Sequence, residues 1–168
     1  MKVIVVYKQE KRSVLLLEII QNILRYKNIE VEFLETTKNN SNNVVNFLYN
    51  ISADIIVSID MEGFQFKTLQ ENSFYNILSA KQLHFLTDES KLQEYMGEDF
   101  ALNLYMAVPK NEYKNAVLEG TNNIPHIIYH PCYEVEKDTI ISSPVNLKIV
   151  EEIIGLFIEN SGDEISCF

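Results

Sequence analysis

Two short runs limit what this chain can become. Val3-Ile4-Val5-Val6 and Ile55-Ile56-Val57-Ser58-Ile59 are almost wholly apolar and rich in β-branched residues. A strand with one face in water alternates apolar and polar side chains. A strand without alternation is covered on both faces, as in a parallel sheet under helices. Between the two runs, Ser13 stands where it can cap a helix. The apolar positions Leu16, Ile19, Ile20, Ile23 and Leu24 recur at helical spacing up to about Lys27. Ile29-Glu30-Val31-Glu32-Phe33-Leu34 alternates apolar and acidic residues, which predicts a half-exposed strand near a sheet edge. A short helix through Val44, Val45, Phe47 and Leu48 then leads into the second buried run.

Further along, a helix is expected through Tyr75, Ile77, Leu78 and Ala80, then a strand at Leu83-His84-Phe85-Leu86. Thr87-Asp88 caps a helix ended by Gly97. Phe100 to Val108 reads as a strand, Asn111 to Glu119 as a small helix, and Ile124 to Tyr129 as another strand. Ser143 and Pro144 open a last helix, with proline in the first turn where its missing donor costs nothing. This β-α-β-α-β order predicts a three-layer α/β/α Rossmann-like sandwich with a mainly parallel sheet of five or six strands. Its 168 residues, 46% of them hydrophobic and 23% charged, suffice for one such domain spanning 1–168.

Charge narrows the function. The formal net charge of -10 repels phosphate backbones and anionic lipid, so no nucleic-acid or membrane partner is expected. The first apolar run is too short for a signal peptide, and no run approaches the roughly 20 residues of a membrane span. Cys132 and Cys167 form no disulfide framework and are read as free thiols. A cytoplasmic location follows. The five glycines compare with about twelve at average usage. After Tyr7 comes Lys8-Gln9-Glu10-Lys11-Arg12-Ser13, without the glycines a dinucleotide fingerprint needs, and no Walker pattern occurs.

In open parallel sheets, ligands bind beyond the carboxyl ends of the strands. Those ends are Tyr7-Lys8-Gln9, Asp60-Met61-Glu62-Gly63, Thr87-Asp88, Pro109-Lys110 and His130-Pro131-Cys132. Asp60 and Glu62 flank one residue before a glycine that permits a sharp turn. They read either as an acidic pair for a metal or a ribose, or as a loop cap beside a solvated acid. His126 and His130 would pair on a helix, but on a strand they stand about 13 Å apart at a 3.3 Å rise. His130 and Cys132 lack further ligands, so no metal and no cofactor is expected. Cys132 has no basic or helix-start neighbour to activate it, and Ser58 has no nucleophile-elbow glycines. The aromatics Phe64, Phe66, Phe74, Tyr75 and Phe85 either stack a ligand or fold the loop onto the sheet.

Asp60, Thr87 and Lys110 resemble in order the aspartate, hydroxyl residue and lysine of response-regulator receiver domains. The acidic pair that such domains place after the first strand is replaced here by Tyr7-Lys8-Gln9. The lysine also follows the proline, where the receiver has it before, and the chain runs on beyond a receiver's length. That resemblance implies a degenerate signalling domain without phosphotransfer.

A second resemblance spans about 35 residues: Ala53 to Asp60, Gly63-Phe64, Asn72 to Leu78, and Gln82 to Asp88. This stretch is similar to the amino-terminal lobe of two-lobed bacterial glycosyltransferases and their uncharacterised relatives. In those enzymes the amino-terminal lobe holds the acceptor and the other lobe most of the nucleotide sugar. The chain has no room for a second lobe of similar size, so the resemblance implies an acceptor-type lobe, non-catalytic alone. Two function classes stay open: a binding or accessory domain with a protein or small-molecule partner, and a transferase or hydrolase. The enzymatic class would place its ligand at Asp60, Glu62, Asn76 and Asp88.

Overall fold

The computed structural model describes residues 1–38, 41–50, 52–67, 70, 72–87, 93, 97, 99–108, 126–129, 135–136, 139–140 and 144–159. Strand β1 (Lys2–Tyr7) is followed by helix α1 (Lys11–Tyr26), β2 (Glu30–Glu35), a 3-10 turn (Thr36–Lys38), α2 (Ser41–Asn50) and β3 (Ile55–Ile59). A second 3-10 turn (Phe74–Ile77) precedes β4 (Lys81–Phe85), β5 (Leu104–Val108) and β6 (His126–Tyr129). The two-residue strands β7 (Val135–Glu136) and β8 (Thr139–Ile140) form an antiparallel pair, and α3 (Pro144–Glu159) follows.

Six strands form one sheet in the order β2-β1-β3-β4-β5-β6, and every ladder in it is parallel. The expected α/β/α sandwich is the observed fold. The alternating acidic strand β2 lies at an edge, and the uninterrupted apolar strands β1 and β3 lie inside. From β1 the chain moves outward to β2 and then returns past β1 to β3. Right-handed crossovers in opposite directions place α1 and α2 on opposite faces of the sheet. The packing agrees. One face joins Val3, Val5, Val57, Leu83 and Phe85 to Leu16, Ile20 and Leu24 of α1 and to Val150, Ile153, Ile154 and Phe157 of α3. Each such buried side chain contributes about 1.5–3 kcal/mol. Tyr105 of β5 meets Phe157 edge-on with ring centres 4.7 Å apart.

The other face holds Ile4, Val6, Ile56, Leu104, Met106 and Val108, covered by Val44 of α2 and by Met61, Phe64, Phe74, Tyr75 and Phe100. Here the sequence reading needs correction. The helix expected through Tyr75 to Ala80 is a single 3-10 turn, after which Leu78 is extended with ψ 135°. Tertiary bonds explain the break. Phe74 N–H donates to Phe66 O at 2.8 Å, Ser73 Oγ to Phe64 O at 2.9 Å, and Gln82 Nε2 to Tyr75 O at 2.6 Å. The aromatics therefore fold the crossover onto the sheet.

Three smaller differences follow. Strand β5 begins at Leu104, because a turn closed by Leu104 N–H on Ala101 O separates it from Phe100. Strand β4 ends at Phe85, although Leu86 N–H still bonds Ala107 O. Ser13 is no cap: α1 begins at Lys11 behind Glu10, and Ser13 is a buried residue of its first turn. The helix expected at Asn111 to Glu119 lies outside the described residues, as does most of the one expected between Asp88 and Gly97.

Candidate functional site

The strand order reverses between β1 and β3, so the crevice beyond their carboxyl ends is the ligand position of an open α/β sheet. The chain leaves β3 through consecutive tight turns. Glu62 N–H closes on Ile59 O at 3.1 Å, Phe64 N–H on Met61 O at 2.9 Å, and Phe66 N–H on Gly63 O at 3.2 Å. Asp60 and Met61 both have positive φ, 55° and 57°, the backbone of a primed turn. Aspartate tolerates that region better than methionine, whose side chain is fully buried here. Gly63 has φ 94°, and a Cβ there would stand 2.7 Å from the Tyr75 hydroxyl oxygen. The sharp turn expected at this glycine is thus required twice over, by backbone conformation and by space.

The turn sends the two carboxylates in different directions. Asp60 is nearly buried. Its Oδ1 accepts the Thr87 N–H at 2.6 Å, and its Oδ2 accepts the Thr87 hydroxyl at 2.7 Å and the Ser13 hydroxyl at 3.4 Å. Its own N–H donates to Phe85 O at 2.7 Å. Asp60 therefore ties the end of β3 to the first turn of α1 and to the exit of β4. A negative group already sits where doubly wound proteins place a phosphate, at the start of the first helix.

Glu62 is half-buried at the mouth of the crevice. Its Oε1 accepts the Thr36 hydroxyl at 2.7 Å and Gln65 Nε2 at 2.9 Å, while its Oε2 has no hydrogen bond among the described residues. The same Thr36 proton is shared with the carbonyl of Tyr7, the last residue of β1, whose oxygen lies 3.3 Å from the hydroxyl. Separately, on the face of β1 and β2 that α1 covers, the Tyr7 hydroxyl reaches Glu35 Oε2 at 3.5 Å, and Thr37 donates to Glu35 Oε1 at 2.6 Å. Around Glu62 the mouth thus combines a carboxylate, a hydroxyl and an amide, a set that can exchange hydrogen bonds with a polyhydroxylated ligand.

Of the four residues read as candidates, Asp60 and Glu62 share one tight turn but face different partners. Asn76 stands apart. Its Nδ2 donates to Asp99 O at 2.7 Å and its Oδ1 accepts the Ala101 N–H at 3.0 Å, pinning the crossover to the segment that enters β5. Asp88 lies outside the described residues, as do Lys110, His130 and Cys132. Among the described residues no group of three or more His, Cys, Asp or Glu is placed to hold a metal ion. No described helix is long and apolar enough to cross a membrane. Thr36 and Gln65 escaped the sequence reading. The carboxyl end of the edge strand, Glu35-Thr36, belongs to the same rule that selected the other strand ends, and applying it there finds Thr36.

No protein-family model matches this chain, and no curated protein matches it either.

Proposed function

We propose that this chain is a non-catalytic binding or accessory domain of the acceptor-lobe type. Its ligand is a hydroxyl-rich small molecule, such as a neutral saccharide, held at the β1–β3 mouth by Glu62. The observation that carries this reading is the division of labour between the two carboxylates. Asp60 is consumed by three donors, whereas Glu62 is steadied through one oxygen and keeps the other for a ligand. A carboxylate fixed in this way accepts sugar hydroxyls without first paying the entropy of ordering its own side chain. The glycosyltransferase resemblance of the 53–88 stretch supports the same class of ligand. The acidic mouth and the glycine-free start of α1 argue against nucleotide phosphates.

A thermal-shift screen with neutral sugars, amino sugars, nucleotide sugars and nucleotides tests this reading. Saturation at a hundred times the dissociation constant stabilises by about 2.7 kcal/mol, a shift of several degrees. Sugars are expected to raise the melting temperature of the wild type and not of Glu62→Gln. A response to nucleotides alone, or a sugar response unchanged in Glu62→Gln, would overturn it.

A further inference from the structure

Beneath the β3–β4 crossover lies a polar strip that the proposed site does not use. Ser58 of β3 and His84 of β4 are register partners, and Gln82 lies on the same face of the sheet two residues before His84. All three are fully buried. Tyr75 covers them, its ring edge-on to His84 with centres 5.0 Å apart. The Tyr75 and Ser58 hydroxyls both donate to Glu62 O, at 2.8 and 3.0 Å.

The hydrogen bonds fix the histidine tautomer. Gln82 spends its NH2 on Tyr75 O, so its Oε1 faces His84 Nε2 at 3.4 Å and that nitrogen carries the proton. His84 Nδ1 is then a bare, buried acceptor with no partner among the described residues. A second proton would have to enter at Nδ1, creating a donor with nothing to receive it and a charge with nothing to balance it. The groups shown around the ring are Ser58, Gln82, Met106 in register on β5, and Tyr75. The two carboxylates on the turn after β3 are engaged elsewhere, Asp60 by Ser13 and Thr87, Glu62 by Thr36 and Gln65.

We propose that residues 61–67 and 72–78 form a strap that opens as a unit when His84 takes up a proton. The construction fits a separable unit. The strap is built from tight turns and one 3-10 turn, and Met61, Phe64, Phe74 and Tyr75 seat it on the sheet, with Tyr75 over His84. Opening lets water reach Nδ1 and leaves the strands paired. The strap also carries Glu62 and Gln65, so its state sets the order of the β1–β3 mouth, but the proposal stands without any ligand there.

Amide hydrogen exchange at pH 7.5 and pH 5, corrected for intrinsic rates, is the test. An open state in which His84 regains its ordinary pKa becomes about 30-fold more populated at the lower pH. The amides of Phe66, Phe74 and Leu78 are expected to lose protection by that factor, and to stay less protected than those of β1 and β3 at both pH values. His84→Gln, which keeps a donor toward Gln82 and does not titrate, is expected to abolish the pH effect. Tyr75→Phe is expected to raise opening at both pH values with the same ratio. Strap protection that does not change with pH would overturn the proposal. So would strap and core amides exchanging with equal protection, which would mean that His84 is reached only by global unfolding. Should His84→Gln not fold, the wild-type comparison alone decides.

Discussion

The carboxylate of Asp60 takes both the backbone N–H and the hydroxyl of Thr87, at 2.6 and 2.7 Å, across 27 residues of chain. This pair holds the exits of β3 and β4 together, and the Ser13 hydroxyl at 3.4 Å adds the start of α1. Asp60 and Thr87 thus meet in space, and each is engaged by the other.

Removing this clamp is expected to act on stability. Asp60→Ala leaves the Thr87 N–H and two hydroxyls without their acceptor and places alanine at positive φ. The expected loss is about 2–4 kcal/mol. Asp60→Asn keeps one acceptor for the Thr87 N–H, tolerates the same backbone, and should lose about 1 kcal/mol. Urea unfolding of the two variants beside the wild type checks the order.

Gly63 and Tyr75 should be coupled. Gly63→Ala brings a Cβ to 2.7 Å from the Tyr75 hydroxyl at a φ of 94°, and is expected to destabilise by about 2–4 kcal/mol. Tyr75→Phe removes the hydroxyl and its bond to Glu62 O, at about 1 kcal/mol. In the double variant the clash with oxygen is gone, so the combined loss should be smaller than the sum by about 1 kcal/mol. A double-mutant cycle measures this directly.

Global stability should fall in acid through His84. Burial pushes its pKa down from 6.5 to about 3. Between those values the unfolded chain binds a proton that the folded chain refuses. The contribution is intact above pH 6.5 and is lost as the pH drops toward 3, at about 1.4 kcal/mol per pH unit. Other groups titrate in the same window, so the difference between wild type and His84→Gln isolates the histidine. That difference is expected to narrow as the pH falls, in unfolding curves at pH 7, 6 and 5.

The contact between α3 and the sheet depends on Phe157, which is fully buried and meets Tyr105 at 4.7 Å. Phe157→Ala should cost about 3–5 kcal/mol, while the exposed Glu151→Ala on the same helix should change stability by less than about 0.5 kcal/mol. Paired thermal melts distinguish the two.

Periodicity made the sheet legible. The strands at Val3 and Ile55 announce burial on both faces, and the alternating strand at Glu30 announces an edge, because each pattern follows from which faces meet water. The crossover after β3 was not legible. Tyr75, Ile77 and Leu78 carry a helical spacing that side-chain to backbone bonds from Ser73 and Gln82 override. Of the candidate site, the strand-end rule singles out Asp60 and Glu62, but the different partners of their carboxylates depend on the positive φ of Asp60 and Met61, which composition does not encode. Ser13 looked like a cap because local spacing cannot reveal a partner 47 residues away.

The proposed function centres on Glu62 as the ligand contact at the β1–β3 mouth. Backbone amide NMR of the wild type, titrated with the best-stabilising neutral sugar from the thermal screen, tests that most directly. The proposal predicts saturable shifts confined to the neighbourhood of Tyr7, Thr36, Glu62 and Gln65, and their loss in Glu62→Gln. Shifts centred elsewhere, such as on the α1–α3 groove around Lys27 and Gly155, or shifts that survive in Glu62→Gln, would contradict it.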